Sequence, residues 1–206
     1  MQKFYISNKD ESARMFQSNL VEMFTHVHPA VPHLIFLPVI GYMIYQSLQI
    51  PFFAVLVLFF FGWAIWSLTE YTLHRFFFHF RPRNGWQQKF YFIIHGVHHD
   101  YPNDSRRLVM PPIVSIPLSS LFFGLFTLIL GSHYVSPLFA GFMSGYLIYD
   151  TTHYAIHHFR LRGRLGIYIR QRHLRHHYVE PDYNFGISSP LWDIVFGTLR
   201  SRGPAR

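Results

Sequence analysis

Fifteen histidines stand in a chain of 206 residues that contains no cysteine. Ten of them fall into four groups: His74/His79, His95/His98/His99, His153/His157 and His173/His176/His177. The pattern His-x-x-His-His occurs twice, at His95–His99 and His173–His177, where chance at this composition supplies it about 0.08 times by a count of template matches. On a helix, positions i, i+3 and i+4 share one face with Cβ atoms about 5–6 Å apart, so three imidazoles can converge on one point or straddle two. His153 and His157 have the i, i+4 spacing that holds zinc in metalloproteases, although the general-base Glu of that motif is absent. His74 and His79 are five apart, about 140° around a regular helix, so a shared site requires local unwinding near Phe76–His79 or a helix end.

A lone histidine is ordinarily a satisfied, partly buried imidazole. Ten in four groups at ligand spacing predict a metal centre instead. Imidazole suits zinc, copper, iron or nickel, and ten ligands exceed what one ion takes, so two ions with about five ligands each is the natural count. A structural zinc site is complete with four ligands; this one has ligands to spare, as a centre that activates something would. Without cysteine, disulfides, thiolate zinc sites and Cys-ligated iron–sulfur clusters are excluded, and no redox compartment can be read. No Ser/His/Asp or Cys/His arrangement and no phosphate-cradling Gly-rich loop is visible, which leaves metal-assisted hydrolysis and O₂ chemistry both open.

Glu70 and Asp150 each lie about one helical turn before a histidine, His74 and His153. A carboxylate near hydrocarbon is expensive and usually has a partner. Both are expected to accept the N–H of a ligating imidazole, fixing its tautomer and raising its basicity. His26, His28, His33 and His133 are read as interfacial residues, and His158 projects about 100° away from His157.

The elements that must carry these groups are apolar. Half the residues are hydrophobic, 23 are Phe, and 14% are charged, against roughly a quarter in soluble domains. No Asp, Glu, Lys or Arg occurs from Val27 to Thr69 or from Leu108 to Tyr149, runs of 43 and 42 residues. A helix needs about 20 apolar residues to cross the bilayer core, so each run holds two spans. Pro51 divides the first, and Gly131–Pro137 breaks the second. The prediction is an all-α integral membrane domain over residues 1–206, with spans near 31–48, 51–71, 112–130 and 136–152 forming two hairpins. Residues 72–111 and 153–206 then form a helical cap that carries the dimetal site.

All 18 Lys and Arg fall in residues 3–14, 75–107 and 160–206. Two hairpins put these segments on one face, which the positive-inside rule assigns to the cytoplasm. The net charge of +8 is thus a topology signal before it is a ligand signal, and no nucleic-acid partner is expected. Residues 1–30 lack the pattern of a secretory signal peptide, so the first span is expected to remain as an anchor. Phe76–Phe78, Trp63 and Trp66 are read as helix packing or interfacial belts, not as an acyl tunnel.

At these residues the sequence resembles the fatty acid hydroxylase and sterol desaturase superfamily, and within it the fatty acid 2-hydroxylases of sphingolipids. The matching stretches are Glu70–His79, His95–His99, Arg107–Pro112, Gly145–His158, His173–His177 and Phe185–Thr198. The resemblance implies an enzyme with two Fe ions that uses O₂ and two electrons to hydroxylate the acyl chain of a membrane lipid. It carries over His74, His79, His95, His98, His99, His153, His157, His173, His176 and His177 as ligands, with supporting roles for Tyr149, Asp150, Trp192 and Asp193. Many such enzymes carry a cytochrome b5 domain ahead of the spans, and 30 residues cannot hold one. Electrons are then expected from a separate cytochrome b5- or ferredoxin-type protein, drawn to the basic face.

Zinc is expected to compete for these sites on purification, since it ranks above Fe²⁺ in affinity for such ligands. A bacterial inner membrane is the favoured location, with the endoplasmic reticulum second. Rival readings are sterol or carotenoid oxidation and desaturation, which share the histidine pattern, and a non-enzymatic metal carrier. A carrier is expected to place its ligands near mid-membrane, whereas here they fall at or beyond the span ends.

Overall fold

The computed structural model describes residues 5–200, and every regular element among them is helical. A short helix α1 (Asn19–Met23) precedes α2 (Val31–Gln46), which ends in a 3₁₀ turn at Ser47–Gln49. Pro51 caps α3 (Phe52–Thr72), which runs on without interruption into a π-helical turn, Leu73–Phe78. The Asn84 side chain accepts the Gln87 amide at 2.9 Å to start α4 (Gly85–Tyr91). A second π-helical turn, Phe92–Gly96, leads into α5 (Val97–Asp100). The long α6 (Pro112–His158), α7 (Gly163–Tyr178) and α8 (Leu191–Val195) complete the fold.

Three of these stretches are long and apolar enough to cross a membrane: Val31–Gln49, Phe52–Phe78 and Pro112–His158. The third has 47 residues, about 70 Å if straight, more than twice a bilayer core of about 30 Å. It is not straight. Gly131 has φ 75° and ψ 166°, a conformation that glycine reaches without steric cost. On either side of it the arms meet, Phe122 with Phe142 at 4.7 Å between ring centroids and Phe123 with Phe139 at 5.0 Å. Residues twenty apart on one straight helix would be about 30 Å apart. The break is confined to Gly131; Pro137, expected inside it, lies within the second arm. That arm continues past residue 152 to His158, so one helix delivers both His153 and His157.

The second arm of α6 is the central element. Phe36 of α2 meets Tyr146 edge-on at 5.4 Å, and Trp66 of α3 meets both Phe142 and Tyr146 at 5.2 Å. Both α2 and α3, joined by the short Ser47–Pro51 connection, pack on α6. Backbone approach decides the α3–α6 contact. A Cβ on Gly62 would sit 2.0 Å from the Leu138 carbonyl oxygen, and one on Gly141 would sit 1.8 Å from that of Phe59. Small residues give apolar helices this proximity where lipid offers no hydrophobic drive.

Gly141→Leu is expected to lower stability in detergent by about 1–3 kcal/mol, the usual cost of overpacking. Gly124, which has nothing within 4 Å of its would-be Cβ, is the control: Gly124→Ala should melt like wild type or slightly higher. Equal melting temperatures for Gly141→Leu and wild type would contradict the close approach.

Candidate metal centre

The ten grouped histidines come together at the end of α3 and α6 and along α5 and α7, and they sort into two sets of five. His74, His79, His95, His99 and His176 form one quintet; His98, His153, His157, His173 and His177 form the other. Within each quintet one ring nitrogen per residue lies within 4.8 Å of all the others. Each His-x-x-His-His box is divided between them. From α5 and the π-turn before it, His95 and His99 serve the first quintet and His98 the second; from α7, His173 and His177 serve the second and His176 the first. The remaining pairs, His74/His79 and His153/His157, each stay in one quintet.

The five-residue spacing of His74 and His79 is resolved by the π-helical turn. The His79 amide donates to the His74 carbonyl at 3.1 Å, an i+5 bond that widens the turn and brings both rings to one side. Their centroids are 5.0 Å apart. The irregularity expected near Phe76–His79 is thus a widened helix over Leu73–Phe78. His158 stacks on Tyr154 at 4.5 Å and belongs to neither quintet.

The inward nitrogens are close. Nε2 atoms are separated by 3.2 Å for His74/His95, 3.1 Å for His79/His99 and 3.0 Å for His79/His176. In the second quintet the separations are 2.9 Å for His98/His153 and 3.0 Å for both His157/His173 and His173/His177. Donors about 2.0–2.1 Å from a shared ion have chords of about 3 Å at right angles, so each quintet fits one ion. His74 Nδ1 donates to the Phe185 carbonyl at 2.5 Å and His176 Nδ1 to that of Tyr183 at 2.8 Å, which leaves both Nε2 lone pairs facing inward.

Burial, followed by the neighbouring imidazoles, keeps the rings neutral. It lowers His99 to about 3, and it pushes His95, His98, His173, His176 and His177 well below their ordinary value. Neutral imidazole is the ligating form. Beside the quintets lies an apolar cavity of about 380 Å³ whose wall includes His95 of the first and His98 and His153 of the second, with Tyr149, Phe77 and Phe78. Phe77 and Phe78, read from the sequence as helix packing or interfacial belts, line this cavity, while Trp66 is buried in the core.

A family model described as "Fatty acid hydroxylase" matches residues 59–198, which takes in all ten of these histidines. The chain belongs to the fatty acid hydroxylase family. It is 40% identical over 194 residues to the dihydroceramide fatty acyl 2-hydroxylase FAH1 of Arabidopsis thaliana, covering 92% of this chain and 81% of that one. It is 36% identical to the ceramide very long chain fatty acid hydroxylase scs7 of Schizosaccharomyces pombe and 34% to the fatty acid 2-hydroxylase of Rattus norvegicus. These alignments cover 91% and 90% of this chain but 55% and 56% of those proteins, so the chain spans just over half their length. Among solved structures, full-length scs7p with only its hydroxylase domain visible superposes with a TM-score of 0.83 at 36% identity, over 91% of this chain and 72% of that one. These relatives are plant, fungal and mammalian, so the preference for a bacterial inner membrane is left without support.

Around the hydroxylase quintets, Glu70 acts one step further out than the sequence suggested, and Asp193 joins it there. Glu70 accepts the amides of Ile187 and Ser188 at 2.6 and 2.9 Å and the Ser188 hydroxyl, and it touches no imidazole. Asp193 accepts the amides of Phe185 and Gly186, both at 2.9 Å, the Thr198 hydroxyl at 2.8 Å and the Arg172 guanidinium at 2.5 Å. Four consecutive amides, 185 to 188, therefore end on two carboxylates, and the carbonyl of Phe185 is held toward His74. Asp150 also departs from the expectation: it is buried beside the Tyr146 hydroxyl and the Met110 amide and makes no hydrogen bond to a histidine. Trp192 donates to Ser67 at 2.9 Å, tying α8 to α3. Sequence reasoning missed Arg172; its place within α7, one residue before His173, was the available signal.

Asp193→Asn places an NH₂ group against two donors whichever way the amide turns, and it leaves Arg172 buried without a counter-charge. A loss of about 3–5 kcal/mol is expected, read as a lower melting temperature. Release of bound metal to a chelator should be faster, although Asp193 contacts no imidazole. Wild-type release kinetics in this variant would show that the loop does not hold the site.

Proposed function

We propose that this chain is a membrane-embedded, O₂-dependent dimetal fatty acid 2-hydroxylase acting on the acyl chain of a lipid, with iron in both quintets of the active enzyme. The observation that carries the reading is the apolar cavity whose wall includes histidines of both quintets. It brings an unactivated hydrocarbon chain against the metal-binding face and keeps water away. The names of the relatives, which specify 2-hydroxylation of fatty acyl chains, support the carbon chosen. Five nitrogen donors per ion exceed what tetrahedral zinc takes and suit iron; zinc recovered on purification would report the same ligands. When bound, the two ions supply reductive activation of O₂: one oxygen atom enters the C–H bond and the other leaves as water, with two electrons and two protons consumed.

The residues of the chain do the rest. The ten histidines hold the ions as neutral donors. Phe185 and Tyr183 carbonyls fix the tautomers of His74 and His176. Tyr149, Phe77 and Phe78 confine the acyl chain. We place the apolar arms in the bilayer as four spans in two hairpins, with the cap in the cytoplasm. There Arg83, Arg160, Arg162 and Arg164 are exposed and offer a positive surface to an acidic electron donor of cytochrome b5 or ferredoxin type.

The test is lipid mass spectrometry of cells with and without the chain, seeking acyl species heavier by one oxygen and locating the hydroxyl by fragmentation. His98→Ala and His176→Ala, one from each quintet, are expected to abolish the product while the protein stays in the membrane with a reduced metal content. Full turnover by either variant, or a hydroxyl at another carbon, would overturn the assignment.

A further inference from the structure

Residues ahead of the first span form a strap across the cap. At one end the Ile6 and Ser7 amides donate to the Asp100 carbonyl at 2.8 and 3.1 Å, and Asp10 accepts the Ser105 amide at 2.9 Å. At the other end the Val27 amide donates to the Arg106 carbonyl at 2.7 Å. Between these anchors Met15, Phe16, Val21 and Phe24 supply one wall of the apolar cavity. The wall has little packing of its own, since α1 contains no buried residue and Leu20, Met23 and Phe24 are more than half exposed.

One polar knot holds it. The Arg107 side chain, 5% exposed, donates to Glu22 Oε1 at 2.5 Å, to Thr25 Oγ1 at 3.2 Å and to the Ala13 carbonyl. The other oxygen of Glu22 accepts the amides of Met15 and Phe16 at 3.1 and 2.8 Å. The same two side chains thus fix α1 and the turn before it, and with them every apolar residue the strap gives to the cavity. Arg107 itself precedes Leu108, Val109 and Met110, which line the cavity from the chain's middle segment. The ion pair joins two walls of one chamber. Arg107 also faces the buried Asp104 at 3.6 Å, within its own segment; removing Glu22 therefore leaves Arg107 one carboxylate but releases the strap, and the segment without packing is the one that gives way.

We propose that the strap is the acyl-selecting wall of the site: Met15, Phe16, Val21 and Phe24 set which chains fit, and Arg107 with Glu22 are positioning residues that latch them. This rests on the reading that the cavity takes the acyl chain. Chain selection by such a wall follows from packing. One methylene in an apolar pocket changes specificity by about 10- to 200-fold, so a wall that moves outward admits chains that a fixed wall rejects.

The experiment uses the full-length protein in lipid nanodiscs and has two readouts. A ceramide with a diazirine in its acyl chain is photolysed and the labelled peptide is mapped, and kcat and KM are measured for a series of acyl lengths. In wild type the label is expected on residues 15–24. Phe16→Ala and Phe24→Ala should shift the preferred length, changing the long-to-short ratio of kcat/KM by about tenfold. Glu22→Gln should flatten the length profile by raising KM while kcat stays within about twofold, and tryptic cleavage after Arg14 should quicken.

A wild-type enzyme that hydroxylates lipid but carries its label elsewhere would overturn the proposal. So would Phe16→Ala and Phe24→Ala variants that fold and keep the wild-type length profile. Labelling of residues 15–24 in a protein that hydroxylates nothing would uphold the wall and defeat the enzymatic reading instead.

Discussion

Ten neutral imidazoles pointing their Nε2 atoms at two small volumes is the constraint that the rest of this structure serves. Lone pairs about 3 Å apart repel when no ion or proton lies between them, and burial removes the water that would otherwise separate them. A ring held from behind keeps its inward nitrogen aimed. In the first quintet backbone carbonyls hold two rings in this way: Phe185 takes the His74 N–H and Tyr183 takes that of His176. A carbonyl can be aimed only if its own loop is fixed, and the amides of 185–188 are fixed by Glu70 and Asp193. Orientation thus passes from two carboxylates through four peptide units to the imidazoles.

The division of each His-x-x-His-His box between quintets follows from helix geometry. On α7, His173 and His177 lie at i and i+4 and share a quintet, while His176 projects to the other; on the segment ending in α5, His95 and His99 share one and His98 projects across. Each box thus spans the gap between the two sites and fixes their separation. The two intact pairs close the arrangement from the membrane side, one from the second arm of α6 and one from the π-turn that ends α3. Because α3 and α6 approach backbone to backbone at Gly62 and Gly141, the positions of these two pairs are set inside the apolar layer. Packing in the apolar layer and geometry in the metal centre are therefore one problem.

Much of this was legible in the sequence for a simple reason: ligation and membrane crossing both depend on residue type and local spacing. The four histidine groups, the apolar stretches, the chain break near Gly131 and a distortion between His74 and His79 are all written within single turns. The assignment of ligands to quintets was not, because it depends on the rotation of α5 against α7. The partners of Glu70 and Asp150 were misjudged because helical proximity to a histidine was taken for contact. Glu70, one turn before His74, faces a loop more than a hundred positions further along, while His74 turns toward His95. The strap was invisible for a related reason: Glu22 and Arg107 are 85 positions apart, and nothing in the local pattern of either announces the other.

An all-imidazole centre also explains why the surroundings are arranged as they are. Neutral donors leave the whole charge of bound ions uncompensated by their ligands, and a bound cation is often the largest local charge in a site. The buried carboxylates Glu70 and Asp193 stand behind the 185–188 loop, and the charge of Asp193 is already balanced by Arg172. Glu70 and Asp150 are the buried carboxylates left without an ion-pair partner among the described residues, and Glu70 lies beside the loop that bonds His74. The Glu70 carboxylate ends on the Ile187 and Ser188 amides and not on a ring nitrogen. On the other side is an apolar cavity that offers no counter-charge at all. The two quintets thus face a polar, loop-bonded side on one hand and the apolar cavity on the other.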